Sequence, residues 1–130
     1  MKKILIAEDD KKIGAALEIR LGAAGYQVLV LRDGFRSFIR AMTDQPDLIL
    51  MDINMPMGSG LAVAQELKRT EMAGIPIILM TASRQKGLRT KAEKVNAAGF
   101  FEKPFDTEKL LAVISWTLQL RHYTQEEIKK

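Results

Sequence analysis

Leu48-Ile49-Leu50-Met51-Asp52-Ile53-Asn54-Met55-Pro56 is an apolar run that ends on an acid and then turns through Pro56-Met57-Gly58. An apolar run without polar alternation suits a strand buried on both faces of a parallel sheet. Working outward, the same pattern recurs at Ile4-Leu5-Ile6-Ala7, Val28-Leu29-Val30-Leu31, Ile75 to Met80 (with Pro76 near its start) and Phe100-Phe101. Helical spacing fills the intervals. Ile13, Leu17, Leu21 and Ala24 make a first stripe that ends at Gly25, a C-terminal cap. Phe35, Phe38, Ile39 and Met42 make a second, Leu61, Ala64 and Leu67 a third, and Leu88, Ala92 and Val95 a fourth. Asp106 can cap a fifth helix from about Thr107 to Leu120. This alternation predicts five βα units, an α/β fold with helices on both faces of a parallel sheet and right-handed crossovers.

Bulk properties agree with one domain. The chain has 130 residues, 47% apolar and 28% charged, which fits a globular protein and argues against disorder. It has no cysteine, so disulfides and thiolate metal sites are excluded. The apolar run after Lys2 and Lys3 is too short for a signal peptide, and no stretch reaches transmembrane length. The expected setting is the cytoplasm, without membrane contact. A net charge of +4 is spread along helices with no Arg-rich tail, so direct nucleic-acid binding is not expected. The densest basic cluster, Arg84, Lys86, Arg89, Lys91 and Lys94, could steer an acidic protein partner.

In open parallel sheets, ligands sit beyond the carboxyl ends of the strands. Glu8, Asp9 and Asp10 follow the first apolar run, and Asp52 and Asn54 follow the third. Thr81 and Ala82 follow the fourth, and Lys103-Pro104 the fifth. Clustered carboxylates repel one another unless a cation compensates. An all-oxygen set without histidine or cysteine favours Mg²⁺, with Mn²⁺ as the substitute. Asp52 is then a nucleophile able to form an acyl phosphate, with Lys103 as a point charge and the Thr81 hydroxyl as a donor to phosphoryl oxygens. Singly, each residue has an ordinary explanation: Asp10 as a helix cap, Asp52 as a loop acid, Thr81 as a strand end, Lys103 as a surface lysine. Together, after four different strands, they point to a site.

These stretches, together with Thr81-Ala82-Ser83 and Ala98-Gly99-Phe100-Phe101-Glu102-Lys103-Pro104-Phe105, resemble the receiver domain of bacterial response regulators. The resemblance runs from residue 2 to about residue 120. It implies a flavodoxin-like (βα)5 fold with strand order 2-1-3-4-5, and phosphotransfer to Asp52 from a sensor histidine kinase, a phosphotransfer protein or a small phosphodonor. It further implies direct metal ligation by Asp9, Asp52 and the Asn54 backbone carbonyl, with Glu8 acting through water. Three acids follow the first strand where two are needed; Glu8-Asp9 follows the apolar run directly and is taken as the pair. Thr81, Ala82 and Lys103 would hold the phosphoryl group, and the Lys103-Pro104 bond would be cis. Thr81 and Phe100 would form the switch, Phe100 reporting by packing alone because it lacks a tyrosine hydroxyl. Asn54 and Ser83 stand at positions that tune phosphate lifetime in this family.

On the fifth helix Leu110, Leu111, Ile114 and Leu118 should face the sheet, leaving Val113, Trp116 and Leu120 as a second apolar stripe. That stripe suggests contact with a downstream partner or a receiver homodimer through the face of helix four, strand five and helix five. The ordinary alternative is packing against the fourth helix or the tail. The domain is expected to span 1–121, with 122–130 a polar tail or the start of a linker. Within it Thr124-Gln125-Glu126-Glu127 fits a capping box for a short helix or helical extension. Such a receiver would catalyse only its own phosphorylation and dephosphorylation. Two alternatives compete. One is a haloacid-dehalogenase-type aspartyl-phosphate hydrolase, although Asp52-Ile53-Asn54 lacks the second acid. The other is a pseudo-receiver that binds partners without phosphorylation.

Overall fold

The computed structural model describes residues 1–129. The elements are β1 (Lys3–Ala7), α1 (Lys11–Ala23), β2 (Gln27–Leu31), α2 (Gly34–Asp44), β3 (Leu48–Asp52), α3 (Gly60–Leu67), β4 (Ile77–Thr81), α4 (Leu88–Lys94), β5 (Gly99–Glu102) and α5 (Thr107–Lys129). All strand pairs are parallel, in the order β2-β1-β3-β4-β5. The expected (βα)5 sheet and strand order are therefore what the molecule adopts. The apolar runs form strands because helices cover both sheet faces. β3 and β4 are buried at every residue.

The two faces carry separate cores. Leu5, Ile49, Met51, Ile77 and Leu79 pack with Ala41, Ala64, Leu67 and Ala92 of α2, α3 and α4. Ile4, Ile6, Leu50, Ile78 and Met80 pack with Leu17 and Leu21 of α1 and with Leu110, Ile114 and Leu118 of α5. Among the described residues no helix is long and apolar enough to cross a membrane.

Several expectations need correction. The α2 stripe is rotated: Phe35 and Ile39 are exposed and Phe38 and Met42 only partly buried, whereas Gly34, Ser37 and Ala41 face inward. Close approach explains this, because a Cβ on Gly34 would lie 2.1 Å from the Gly58 carbonyl oxygen. Small residues therefore line the contact, and the Ser37 hydroxyl is satisfied by the Asp33 carbonyl at 2.7 Å. Ala24 caps α1 and is exposed, with Gly25 following at φ 98°. Ile75 and Pro76 precede β4 and are not part of it.

Thr124 caps nothing. It lies inside α5, its hydroxyl donating to the Leu120 carbonyl at 3.0 Å. Residues 122–129 of the expected tail continue α5, which is the helical extension rather than the separate short helix, and Lys130 lies outside the described residues. The helix therefore extends well past the 107–120 expected from its apolar spacing. Arg121 fixes its passage along the sheet by donating to the Asp47 carbonyl at 2.9 Å, beside the start of β3.

Candidate functional site

Charge is buried at one end of the sheet. Among the described residues the buried polar side chains are Glu8, Asp33, Ser37, Asp52 and Thr81. Glu8, Asp52 and Thr81 stand at the carboxyl ends of β1, β3 and β4. Ladder bonds place them. Glu8 N–H donates to Leu31 O at 2.9 Å, Ile53 N–H to Met80 O at 2.8 Å, and Lys103 N–H to Thr81 O at 2.7 Å. Each strand thus delivers its functional side chain in register with its neighbour.

Lys103 occupies the middle. Its Nζ donates to Glu8 Oε1 and, at 2.9 Å, to Asp52 Oδ2. The Lys103-Pro104 peptide is cis. Asp52 Oδ1 accepts from Asn54 N–H at 3.1 Å, and Glu8 Oε2 accepts from Asp10 N–H at 3.2 Å. Burial raises Glu8 to about 7; the nearby Asp52 adds to the rise and the Lys103 bond opposes it. Burial alone would lower Lys103, but its bonds to Glu8 and Asp52 outweigh that and hold it above its ordinary value.

Carboxylate oxygens of Glu8, Asp9 and Asp52 lie within 4.8 Å of one another. Glu8 and Asp52 are buried, whereas Asp9 is exposed and so gives the cluster an open side. An all-carboxylate set with one open side suits a hard divalent cation that keeps part of its water. Asp10 stands apart: its Oδ1 caps α1, accepting from Lys12 N–H at 2.9 Å and Ile13 N–H at 3.2 Å.

The Thr81 hydroxyl donates to Asn54 Oδ1 at 3.0 Å and accepts from Ser83 N–H at 3.0 Å. Asn54 from one sequence stretch and Thr81 and Ser83 from another are therefore one hydrogen-bonded group. Ala82 is exposed and, having no polar side chain, can act only through its backbone. Phe100 pairs in register with Leu79, packs partly buried against the α2–α4 core, and lies under the Arg89 guanidinium at 4.8 Å. Strand alternation puts Leu79, Thr81 and Phe100 on one sheet face, so the ring is one step from the hydroxyl. Arg84 and Arg89 both pair with Glu102, Arg89 at 3.7 Å, which ties α4 and the loop before it to β5.

Reading strand ends misses Gly60. A Cβ there would lie 2.3 Å from the Asp52 carbonyl oxygen, and Gly60 N–H donates to Ile53 O at 2.8 Å. The first turn of α3 thus rests directly on the backbone of Asp52. Its only sequence sign is a glycine after Ser59, which caps α3 by accepting from Ala62 N–H at 3.1 Å.

On the outer side of α5, Trp116 is 67% and Leu120 53% exposed, so among the described residues neither α4 nor the tail covers them. Val113, expected with them, is partly buried against the α1–α5 core.

Comparison with known proteins agrees with this architecture. The family described as the response regulator receiver domain matches residues 4–115. The uncharacterized transcriptional regulatory protein YrkP of Bacillus subtilis is 36% identical over 128 residues, covering 98% of this chain and 53% of the relative. RpaA of Synechocystis, a DNA-binding dual master transcriptional regulator, is 38% identical over 113 residues, covering 86% of this chain and 47% of the relative. The chain thus spans about half the length of the curated relatives it matches. The solved structure of the chemotaxis protein CheY4 of Vibrio cholerae superposes with a TM-score of 0.81 at 28% identity, covering 88% of this chain and 97% of that one.

Proposed function

Since the chain belongs to the response-regulator receiver-domain family, whose members are signalling switches of two-component systems, we propose that Asp52 is its phosphoacceptor. One observation carries the reading: Asp52 is buried beside Glu8 and Lys103 and clusters with the exposed carboxylate of Asp9. The donor is the phosphohistidine of a sensor histidine kinase or phosphotransfer protein, or a small phosphodonor. A carboxylate oxygen of Asp52 attacks phosphorus and the donor's bond to phosphorus breaks: phosphorus–oxygen in an acyl phosphate, which leaves as its carboxylate, and phosphorus–nitrogen in a phosphohistidine. The imidazole nitrogen leaves with the electron pair and takes a proton from solvent.

The residues present fit Mg²⁺, or Mn²⁺ in its place. Asp9, Asp52 and the Asn54 carbonyl would hold it directly, with Glu8 acting through water. When bound, the cation offsets negative charge on the incoming phosphoryl oxygens. Lys103 already reaches Asp52, so its ammonium is in position to pair with a phosphoryl group added there. Thr81 must leave Asn54 to donate to that group, which couples the hydroxyl to the phosphate. Phe100, on the same sheet face, fills the space that Thr81 vacates. Ala82 contributes its backbone N–H, and Asn54 and Ser83 set the phosphate lifetime by controlling the water that attacks the phosphoryl group.

The output face is formed by α4, β5 and α5, and it meets a downstream protein or a second receiver through Val113, Trp116 and Leu120. RpaA is named as DNA-binding; for this chain the reading is of protein partners, with Arg84 and Arg89 engaged by Glu102. The switch works in the cytoplasm. It catalyses only its own phosphorylation and dephosphorylation, and the family match does not favour the hydrolase or pseudo-receiver alternatives. Incubation with Mg²⁺ and acetyl phosphate separates the readings. A receiver gains at most one phosphoryl group, with phosphate release limited to turnover of that group. Sustained hydrolysis of unrelated phosphomonoesters would favour the hydrolase reading.

A further inference from the structure

The outer side of α5 carries a pattern that reads the same in both directions. Lys109, Val113, Trp116, Leu120, Tyr123 and Glu127 follow one another at spacings of 4, 3, 4, 3 and 4. All six lie within α5, and the alternating spacing keeps them on one face, opposite Leu110, Ile114 and Leu118. Trp116, Leu120 and Tyr123 are exposed by 67%, 53% and 64%, and Val113 is half-buried at the edge of the stripe. The inner face is already complete against the sheet, so folding does not account for three large apolar side chains in water.

The ends of the stripe carry opposite charge, Lys109 at one and Glu127 at the other. Val113 with Tyr123, Trp116 with Leu120, and Lys109 with Glu127 are each centred on position 118. A second copy laid antiparallel across that point sets Trp116 on the partner's Leu120 and Val113 on the partner's Tyr123. It also brings each Lys109 to the partner's Glu127. Such self-complementarity is what a two-fold interface requires. We infer that this chain forms an antiparallel α5–α5 dimer centred on position 118. The seam is about 27 Å long at 1.5 Å per residue, and each domain lies behind its own helix. The inference deepens the reading of outer α5 as a contact face by naming the partner and the register. It uses Tyr123 and Glu127, which lie past the 1–121 span expected for the domain.

The test is sedimentation equilibrium of the chain over a concentration series, with variants checked for unchanged helical circular dichroism. The expected result is a monomer–dimer equilibrium whose dissociation constant rises by about tenfold or more in Trp116→Ala. Lys109→Glu and Glu127→Lys should each weaken the dimer, and the double exchange should restore it, because only the antiparallel register sets these residues opposite each other. A chain that is monomeric throughout, a dimer indifferent to Trp116→Ala, or a double exchange without rescue would each overturn the inference. Phosphoryl uptake at Asp52 in the same samples is read separately by intact mass. A monomer that still takes up phosphate would leave the reading of the site in place.

Discussion

The carboxyl end of the sheet and the outer side of α5 break the ordinary partition of side chains in opposite directions. At the first, the carboxyl groups of Glu8 and Asp52 are buried. Along the second, Trp116, Leu120 and Tyr123 stand in water. The two departures differ in what the fold requires. The buried carboxylates depend on Lys103 and on backbone donors, so removing a partner leaves uncompensated charge inside the protein. The exposed stripe makes few demands on the monomer, because the sheet-facing side of α5 is filled by Leu110, Ile114 and Leu118. A site is thus recognised by what it costs the fold, and a contact surface by how little the fold needs it.

Substitutions should separate the two regions on one stability scale. Lys103→Met should cost most, about 3–5 kcal/mol in urea unfolding at pH 8, because Glu8 and Asp52 lose their shared cation. The loss should shrink at pH 5, where a proton can neutralise Glu8. An unchanged midpoint would remove the contrast.

Glu8 supplies the pH dependence. Its carboxyl titrates near 4.5 when unfolded and is raised to about 7 in the fold, so between these values the folded protein holds more protons. Its contribution is present in full below pH 4.5 and is lost as pH rises through about 7, by up to about 3 kcal/mol. Glu8→Gln should flatten that slope, and Mg²⁺ should stabilise the wild type most above pH 7, where the carboxylate is ionised. A stability curve indifferent to Glu8→Gln would contradict this.

Gly60→Ala should cost about 2–3 kcal/mol, because its Cβ meets the Asp52 carbonyl and α3 must shift. It should also slow phosphoryl uptake, which intact-mass time courses would read. Thr81→Val keeps the shape but leaves Asn54 Oδ1 and Ser83 N–H without their partner, at about 1–2 kcal/mol. Trp116→Ala should change monomer stability least, within about 0.5 kcal/mol, measured at concentrations below dimer formation. A loss as large as that of Lys103→Met would make Trp116 a folding residue and erase the distinction.

The strands and the site were legible in sequence for one reason: parallel strands are apolar throughout, so the first polar residue after each run marks the functional end. That rule located the candidate residues Glu8, Asp52 and Thr81 without any knowledge of helix packing; Lys103 stands one place further on, after Glu102. Helix orientation was less legible. The α2 stripe went to its large residues, but close backbone approach at Gly34 turned Ser37 and Ala41 inward and left Phe35 outside. Gly60 escaped notice because its role is to lack a Cβ beside Asp52. The length of α5 was hidden by its polar end: Thr124 and Glu127 mimic a cap, but the helix simply continues through them. The Thr81–Asn54 bond joins residues far apart in sequence and could be seen only in three dimensions.

The central claim is that Asp52 accepts a phosphoryl group, and intact-mass measurement after incubation with Mg²⁺ and acetyl phosphate tests it most directly. The account predicts a gain of one phosphoryl group in the wild type, lost on removal of divalent cation and absent in Asp52→Asn. No gain in the wild type where a control receiver is labelled, or an equal gain in Asp52→Asn, would contradict it.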